Sequence, residues 1–187
     1  MSGVSDDDRL GVLDACFRCV ARWGINKTTM DDVAREAGTS RATLYRWFPG
    51  GREEILTATI ALELDRFFDR LTSRLAHHDD VTDELIELVV ATHDETVNHQ
   101  VLQALLATEP DSLLARLAGD DDPVLSRLRE VMQPLMIRAG ALDATEAADY
   151  VGRLVLSYVT DPGDLDMADH TAVGRMVRTH LLGWRTT

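Results

Sequence analysis

The sequence predicts an all-α protein, and three observations carry that prediction. Apolar residues recur at intervals of three and four through most of the 187 residues, the spacing of one helix face. No segment alternates apolar and polar residues over the length of a strand. Glycine, proline and capping side chains cut the pattern into pieces of ordinary helix length. A chain of this length, 45% apolar and 27% charged, can build a real core in one or two domains.

The first helix opens near Asp6, where Ser5 and Asp8 form a capping-box pattern and Asp6, Asp7 and Asp8 sit at the positive end of the helix dipole. Its expected buried stripe is Leu10, Leu13, Cys16, Phe17, Val20 and Ala21, ending at Gly24. Thr29 and Asp32 make a second capping box, opening a short helix through Ala37 that stops at Gly38. Thr39 or Ser40 caps a third helix to about Phe48, and Pro49-Gly50-Gly51 breaks the chain. A long helix follows over 52–76, with Ile55, Ala58, Thr59 and Leu62 around a buried seam, then a polar connection at His77-His78-Asp79-Asp80. Further helices are predicted over 82–99, 100–108, 111–118, 122–139, 143–160 and 166–184. Pro110, Pro123 and Asp161-Pro162-Gly163 punctuate them, and Pro134 predicts a kink or a new segment inside its helix.

The 32 acidic and 19 basic residues give a net charge of -13, which at face value disfavours a nucleic-acid partner. Two cysteines three residues apart make no disulfide framework, and no charged start followed by an apolar run marks a signal peptide, so a cytoplasmic protein is expected. No apolar run reaches the roughly 18 residues of a membrane span; residues 85–91 are interrupted by Glu87. Lys27 is the single lysine among 19 basic residues, a bias read as codon usage.

Residues 28–48 are the informative stretch. Two short helices joined by Gly38-Thr39-Ser40 make a helix-turn-helix, in which the second helix enters the DNA major groove. Val33, Ala34 and Ala37 are placed to pack on Leu44 and Phe48, which leaves Arg41, Ala42, Tyr45 and Arg46 free. An arginine binds guanine bidentately, Thr43 suits a base or a thymine methyl, and the hydroxyls of Thr28, Thr29 and Tyr45 suit phosphate oxygens. Ser40 completes the candidate DNA-contacting set read from these residues. Charge follows the same division. Residues 22–52 carry six basic and three acidic groups, a local +3, whereas residues from 53 onward carry 25 acidic and 11 basic groups, or -14.

At these residues the chain resembles the TetR family of bacterial transcriptional regulators. The resemblance runs over residues 9–57, through Leu13-Asp14-Ala15-Cys16-Phe17, then Thr28-Thr29-Met30-Asp31-Asp32-Val33-Ala34-Arg35-Glu36-Ala37-Gly38, then Thr43-Leu44-Tyr45-Arg46-Trp47-Phe48-Pro49. It implies a DNA-binding domain over 1–50, an effector-binding and dimerisation domain over 51–187, and Thr29, Arg41, Thr43, Tyr45 and Arg46 at or near DNA. Gly50-Gly51-Arg52 carries one residue more than the family pattern, which puts Arg52 where the family usually has a phosphate-binding lysine. The resemblance also implies a dimer interface on the last two helices, here Val151, Leu154, Val155, Tyr158, Val173, Met176, Val177, Leu181 and Trp184.

Three readings remain open on the rest of the chain. A small-molecule effector is expected in a pocket lined by His93, Thr96, Val97, His99 and Gln103, with Met132, Met136, Tyr150 and Leu154. A metal- or cofactor-dependent helical enzyme using His93, Asp94, Glu95 and His99 is the first rival, and an adaptor that no longer binds DNA is the second. Cys16 and Cys19 form a CxxC; lying within a helix, with no second pair, they read as buried small side chains rather than a redox or zinc motif. No cofactor or metal is expected, and the expected partners are double-stranded DNA, a small-molecule effector and a second copy of the chain.

Overall fold

A computed structural model of the chain describes residues 6–75, 80–117, 123–160 and 163–182. They form α1 (Asp6–Trp23), α2 (Met30–Glu36), α3 (Arg41–Trp47), α4 (Gly51–Leu75), α5 (Val81–Asn98), α6 (Gln100–Thr108), α7 (Pro110–Leu117), α8 (Pro123–Ala139), α9 (Ala144–Thr160) and α10 (His170–Met176). A π-wound turn, Val177–Leu181, continues α10, and its wider winding shows in the Leu182 N–H donating to the Val177 carbonyl at 3.0 Å. No strand occurs among the described residues, and the protein is all-α as predicted. Ser5, residues 76–79, 118 and 122, Asp161-Pro162 and Trp184 lie outside the described residues. Pro134 starts no new segment, for α8 is one helix from Pro123 to Ala139.

The chain divides into two compact units, and the division falls inside α4, between Asp65 and Arg66. Helices α6 and α7 cluster with α1–α3 and the first part of α4. In this first unit Val12, Cys16, Cys19 and Val20 of α1 meet Ile25, Val33 and Ala34, Leu44 and Phe48, and Ile55 and Leu56, while Leu105 of α6 and Leu113 of α7 close the core. The stripe of α1 is therefore rotated from the predicted one. Leu10 is 41% exposed and Ala21 is exposed, whereas Val12, Ala15 and Cys19 are buried. Residues 12, 15, 16, 19 and 20 also repeat at three and four, and the elements they face select them over the alternative stripe.

In the second unit Phe68, Leu71 and Leu75 of α4, Leu85 and Leu88 of α5, Met132 and Met136 of α8 and Val151 and Val155 of α9 are buried. Helices α8 and α9 pack along their lengths, and α10 packs on α5. At Gly152 an added Cβ would make ordinary contact with the Leu128 side chain, at 3.4 Å, so the α8–α9 packing does not require glycine there.

Most of the residues expected at the dimer interface are already buried within the single chain. Val151, Val155, Val173, Met176, Val177 and Leu181 are each buried within the single chain, no more than 7% exposed. Their apolar faces meet α8 and α5, so they are core residues. Leu154 and Tyr158 stay half-exposed, and Tyr150, 59% exposed, lies on the outer side of α9.

Candidate nucleic-acid interface

The reading head is built from its caps upward. The Thr29 hydroxyl oxygen accepts the Asp32 N–H at 3.2 Å, and the Asp32 carboxylate accepts the Thr29 N–H at 3.2 Å and its hydroxyl at 2.5 Å. This closes the predicted capping box on α2. The hydroxyl of Thr29, more than any other group, holds the Asp32 carboxyl below its ordinary range. Ser40 caps α3, accepting the Thr43 N–H at 3.0 Å, and the two hydroxyls meet at 2.9 Å. Leu44 and Phe48, both 0% exposed, pin α3 against α2 and the core. Arg41, Ala42, Tyr45 and Arg46 are thereby left exposed on the opposite side.

These side chains are differently prepared. Arg46 makes no hydrogen bond or ion pair among the described residues and is exposed. Arg41 lies over the Tyr45 ring, 5.6 Å from its centroid, and pairs with Asp31 at 3.3 Å. That pair is exposed on both sides, so solvent screens it and it holds the guanidinium only weakly. The Tyr45 ring lies against Gly51, where any Cβ would come within 3.1 Å of the ring at a backbone φ of +67°.

Two predicted contacts have other work. Thr28 is 1% exposed and its hydroxyl donates to the Gly24 carbonyl at 2.7 Å, so it faces the core side of the α1–α2 loop and not a phosphate. Arg52 donates to the carbonyls of Thr28 at 2.7 Å and Ile25 at 2.5 Å and pairs with Glu53. Its guanidinium fastens the α1–α2 loop to the start of α4, where the sequence had suggested a phosphate contact. Lys27, between the two tied carbonyls, is exposed and stands as the cation of this loop.

Of the predicted effector residues, Gln103 belongs to the first unit and the other eight to the second. Met132 and Met136 are both 0% exposed core residues, while Val97 at 48% and Tyr150 at 59% face outward. Thr96 donates its hydroxyl to the Thr92 carbonyl at 2.7 Å. His93 is half-buried, with its Nδ1 buried and unbonded, and His99 and Leu154 are half-exposed. An open cleft of about 400 Å³ instead lies between α4, α5 and α8, with Phe68, Leu75, Val131 and Pro134 as its apolar wall and Asp69, Thr72, Glu84, Arg127 and Glu130 as polar groups. Periodicity alone gave no signal for this cleft, because its lining comes from helices some 60 residues apart.

The acidic residues beside His93 are engaged elsewhere, Glu95 with Arg70 at 2.8 Å and Asp94 with Arg74 at 3.4 Å. Among the described residues no three His, Cys, Asp or Glu side chains gather as a metal site requires.

A capped, core-pinned recognition helix with exposed arginines on an all-α chain defines a helix-turn-helix DNA-binding protein. The sequence pattern of the family described as bacterial regulatory proteins, tetR family, matches residues 12–59. An uncharacterized HTH-type transcriptional regulator of Mycobacterium tuberculosis is 30% identical, over 97% of this chain and 96% of its own. The HTH-type transcriptional regulator AlkX of the same organism is 29% identical, over 91% of this chain and 82% of its own. Among solved structures, the TetR family repressor AlkX from a Dietzia species, implicated in biodegradation of n-alkanes, aligns at a TM-score of 0.68 with 24% identity, covering 97% of this chain and 98% of that one. The chain belongs to the TetR family of transcriptional regulators.

Proposed function

We propose that this regulator is a ligand-responsive repressor, acting in the cytoplasm as a homodimer on a near-palindromic operator. Residues 1–50 read DNA and residues 51–187 carry effector binding and dimerisation. The observation that carries the reading is the exposed face of α3, where Arg46 has no competing partner and Arg41 has only a surface pair. Two copies of α3 then occupy successive major grooves, with centres about 34 Å apart or a small multiple of that. Arg41 and Arg46 bind guanine edges, Thr43 reads a base or a thymine methyl, and Tyr45 and Thr29 contact phosphates.

Repression accords with the repressor AlkX sharing the fold. The cleft between α4, α5 and α8 is the better effector site than the residues expected from sequence, because it combines an apolar wall with a few polar groups. It suits a small molecule with an apolar body and one polar end. Such an effector releases DNA by binding more tightly to the conformation whose two reading heads are wrongly spaced, a coupling of roughly 1–3 kcal/mol.

Selection from random DNA tests the reading, with recovery of an inverted repeat expected. On that repeat Arg41→Ala with Arg46→Ala lowers affinity by roughly 2–6 kcal/mol and makes the salt dependence shallower. Recovery of no inverted repeat, or an unchanged affinity in the double variant, overturns it.

A further inference from the structure

The α1–α2 loop is gripped from two sides. On one side Arg52 holds the Ile25 and Thr28 carbonyls. On the other stand α6 and α7, more than 80 positions later in the chain. Glu109, the residue between those helices, accepts the Asn26 backbone N–H at 3.0 Å. Ser112 donates to the Asn26 side-chain oxygen at 3.0 Å. Arg116 donates to the Ser112 carbonyl at 2.9 Å and pairs with Glu53, which also pairs with Arg52. The two grips therefore join through one carboxylate. Gly24 makes room for this arrangement. It ends α1 at φ +85°, a conformation that favours glycine, and a Cβ there would lie 2.5 Å from the Glu109 carboxylate.

The apolar docking of α6 and α7 is already supplied by Leu105 and Leu113. What Glu109 and Ser112 add is direction, since they fix one short loop that carries Lys27 and ends at the Thr29 cap of α2. We infer that Glu109 and Ser112 are positioning residues for DNA reading: they latch the α1–α2 loop so that Lys27 meets the DNA backbone in register with α3. The inference rests on the helix-turn-helix binding DNA.

The test uses the full-length chain as wild type, Glu109→Ala, Glu109→Gln and Ser112→Ala, with three readouts: hydrogen exchange of the Asn26 amide in free protein, affinity for the selected operator against random DNA, and Tm. In Glu109→Ala the Asn26 amide exchanges roughly tenfold faster and operator affinity falls roughly five- to tenfold, the loss of one charged-acceptor hydrogen bond. Affinity for random DNA changes less than about twofold, because that binding reads charge and not register. Tm moves by less than about 3 °C, since Leu105 and Leu113 remain. Ser112→Ala gives a smaller loss in the same direction, and Glu109→Gln, which keeps an acceptor for the Asn26 N–H, recovers most of the operator affinity. Unchanged exchange at Asn26, or operator and random DNA weakened equally with a large fall in Tm, overturns the inference. If the wild-type chain selects no operator, the DNA reading itself falls and the positioning role with it, whereas slow wild-type exchange at Asn26 still identifies the latch as a contact of the fold.

Discussion

Cys16 and Cys19 show how far a side chain's chemistry is set by its surroundings. Both are free and buried within the first unit, at 0% and 1% exposure. Burial pushes both thiols up, Cys19 from an ordinary 9.0 to about 11, with Cys16 beside it as the next cause. A reactive or metal-binding cysteine needs the opposite shift, toward thiolate, so the CxxC spacing belongs to packing. The folded state holds the Cys19 proton more tightly than the unfolded state does. Its contribution to stability is therefore full below pH 9 and is lost as pH rises toward 11. Urea midpoints are expected to stay level from about pH 7 to 8.5 and to fall above pH 9. Comparison with Cys19→Ala isolates the thiol, because the fall is shallower in that variant. Cys16 was legible as a buried residue from its place on the predicted apolar stripe. Cys19 was legible as a buried small side chain only from the lone CxxC within a helix, since the predicted stripe missed it and the stripe that faces the core is rotated toward it.

At the scale of the element, the ends of helices were readable, and the buried face was readable for α2 and α3 but not for α1. The α2 capping box is written within four residues, Thr29 to Asp32, and forms as the sequence predicts. Thr29→Ala is expected to lower stability by about 1 kcal/mol, read from denaturant melts. The hydroxyl of Thr29 depresses the Asp32 carboxyl, so the box contributes fully above the ordinary carboxylate range and is lost as pH falls through the depressed value. The variant therefore shows a weaker loss of stability in acid. Which face of a helix is buried depends on elements far away in sequence. Leu105 and Leu113 help choose the buried side of α1, and α8 and α5 claim Val155 and Val177 before any partner subunit can. The same dependence hides the α4–α5–α8 cleft, whose lining comes from three separate helices, α8 lying far from the other two in sequence.

For the whole molecule, the summed charge conceals a dipole-like division. The -13 total is the sum of -2 from residues 1–21, +3 from the reading segment 22–52 and -14 from residue 53 onward, so the reading segment is the stretch whose local charge favours a polyanion. Assembly belongs to the same scale. Val151 and Val155 are buried, whereas Tyr150 is exposed and Leu154 and Tyr158 are half-exposed, and the outer side of α9 is the surface proposed here for the second copy. Sedimentation of Tyr150→Arg with Leu154→Arg is expected to show monomer at micromolar concentration with Tm little changed. Val155→Ala is expected to do the reverse, costing roughly 1–2 kcal/mol of stability while leaving assembly intact. Monomer in the wild type under the same conditions refutes the homodimer. The exposed Lys27 on the α1–α2 loop has a practical consequence of its own. As the single lysine of the chain it offers one ε-amine to acylating reagents, so a fluorophore coupled at high pH attaches there and at the chain's own amino terminus. Acylation of Lys27 also removes the cation that the loop is proposed to present to DNA, so operator affinity is expected to fall on labelling.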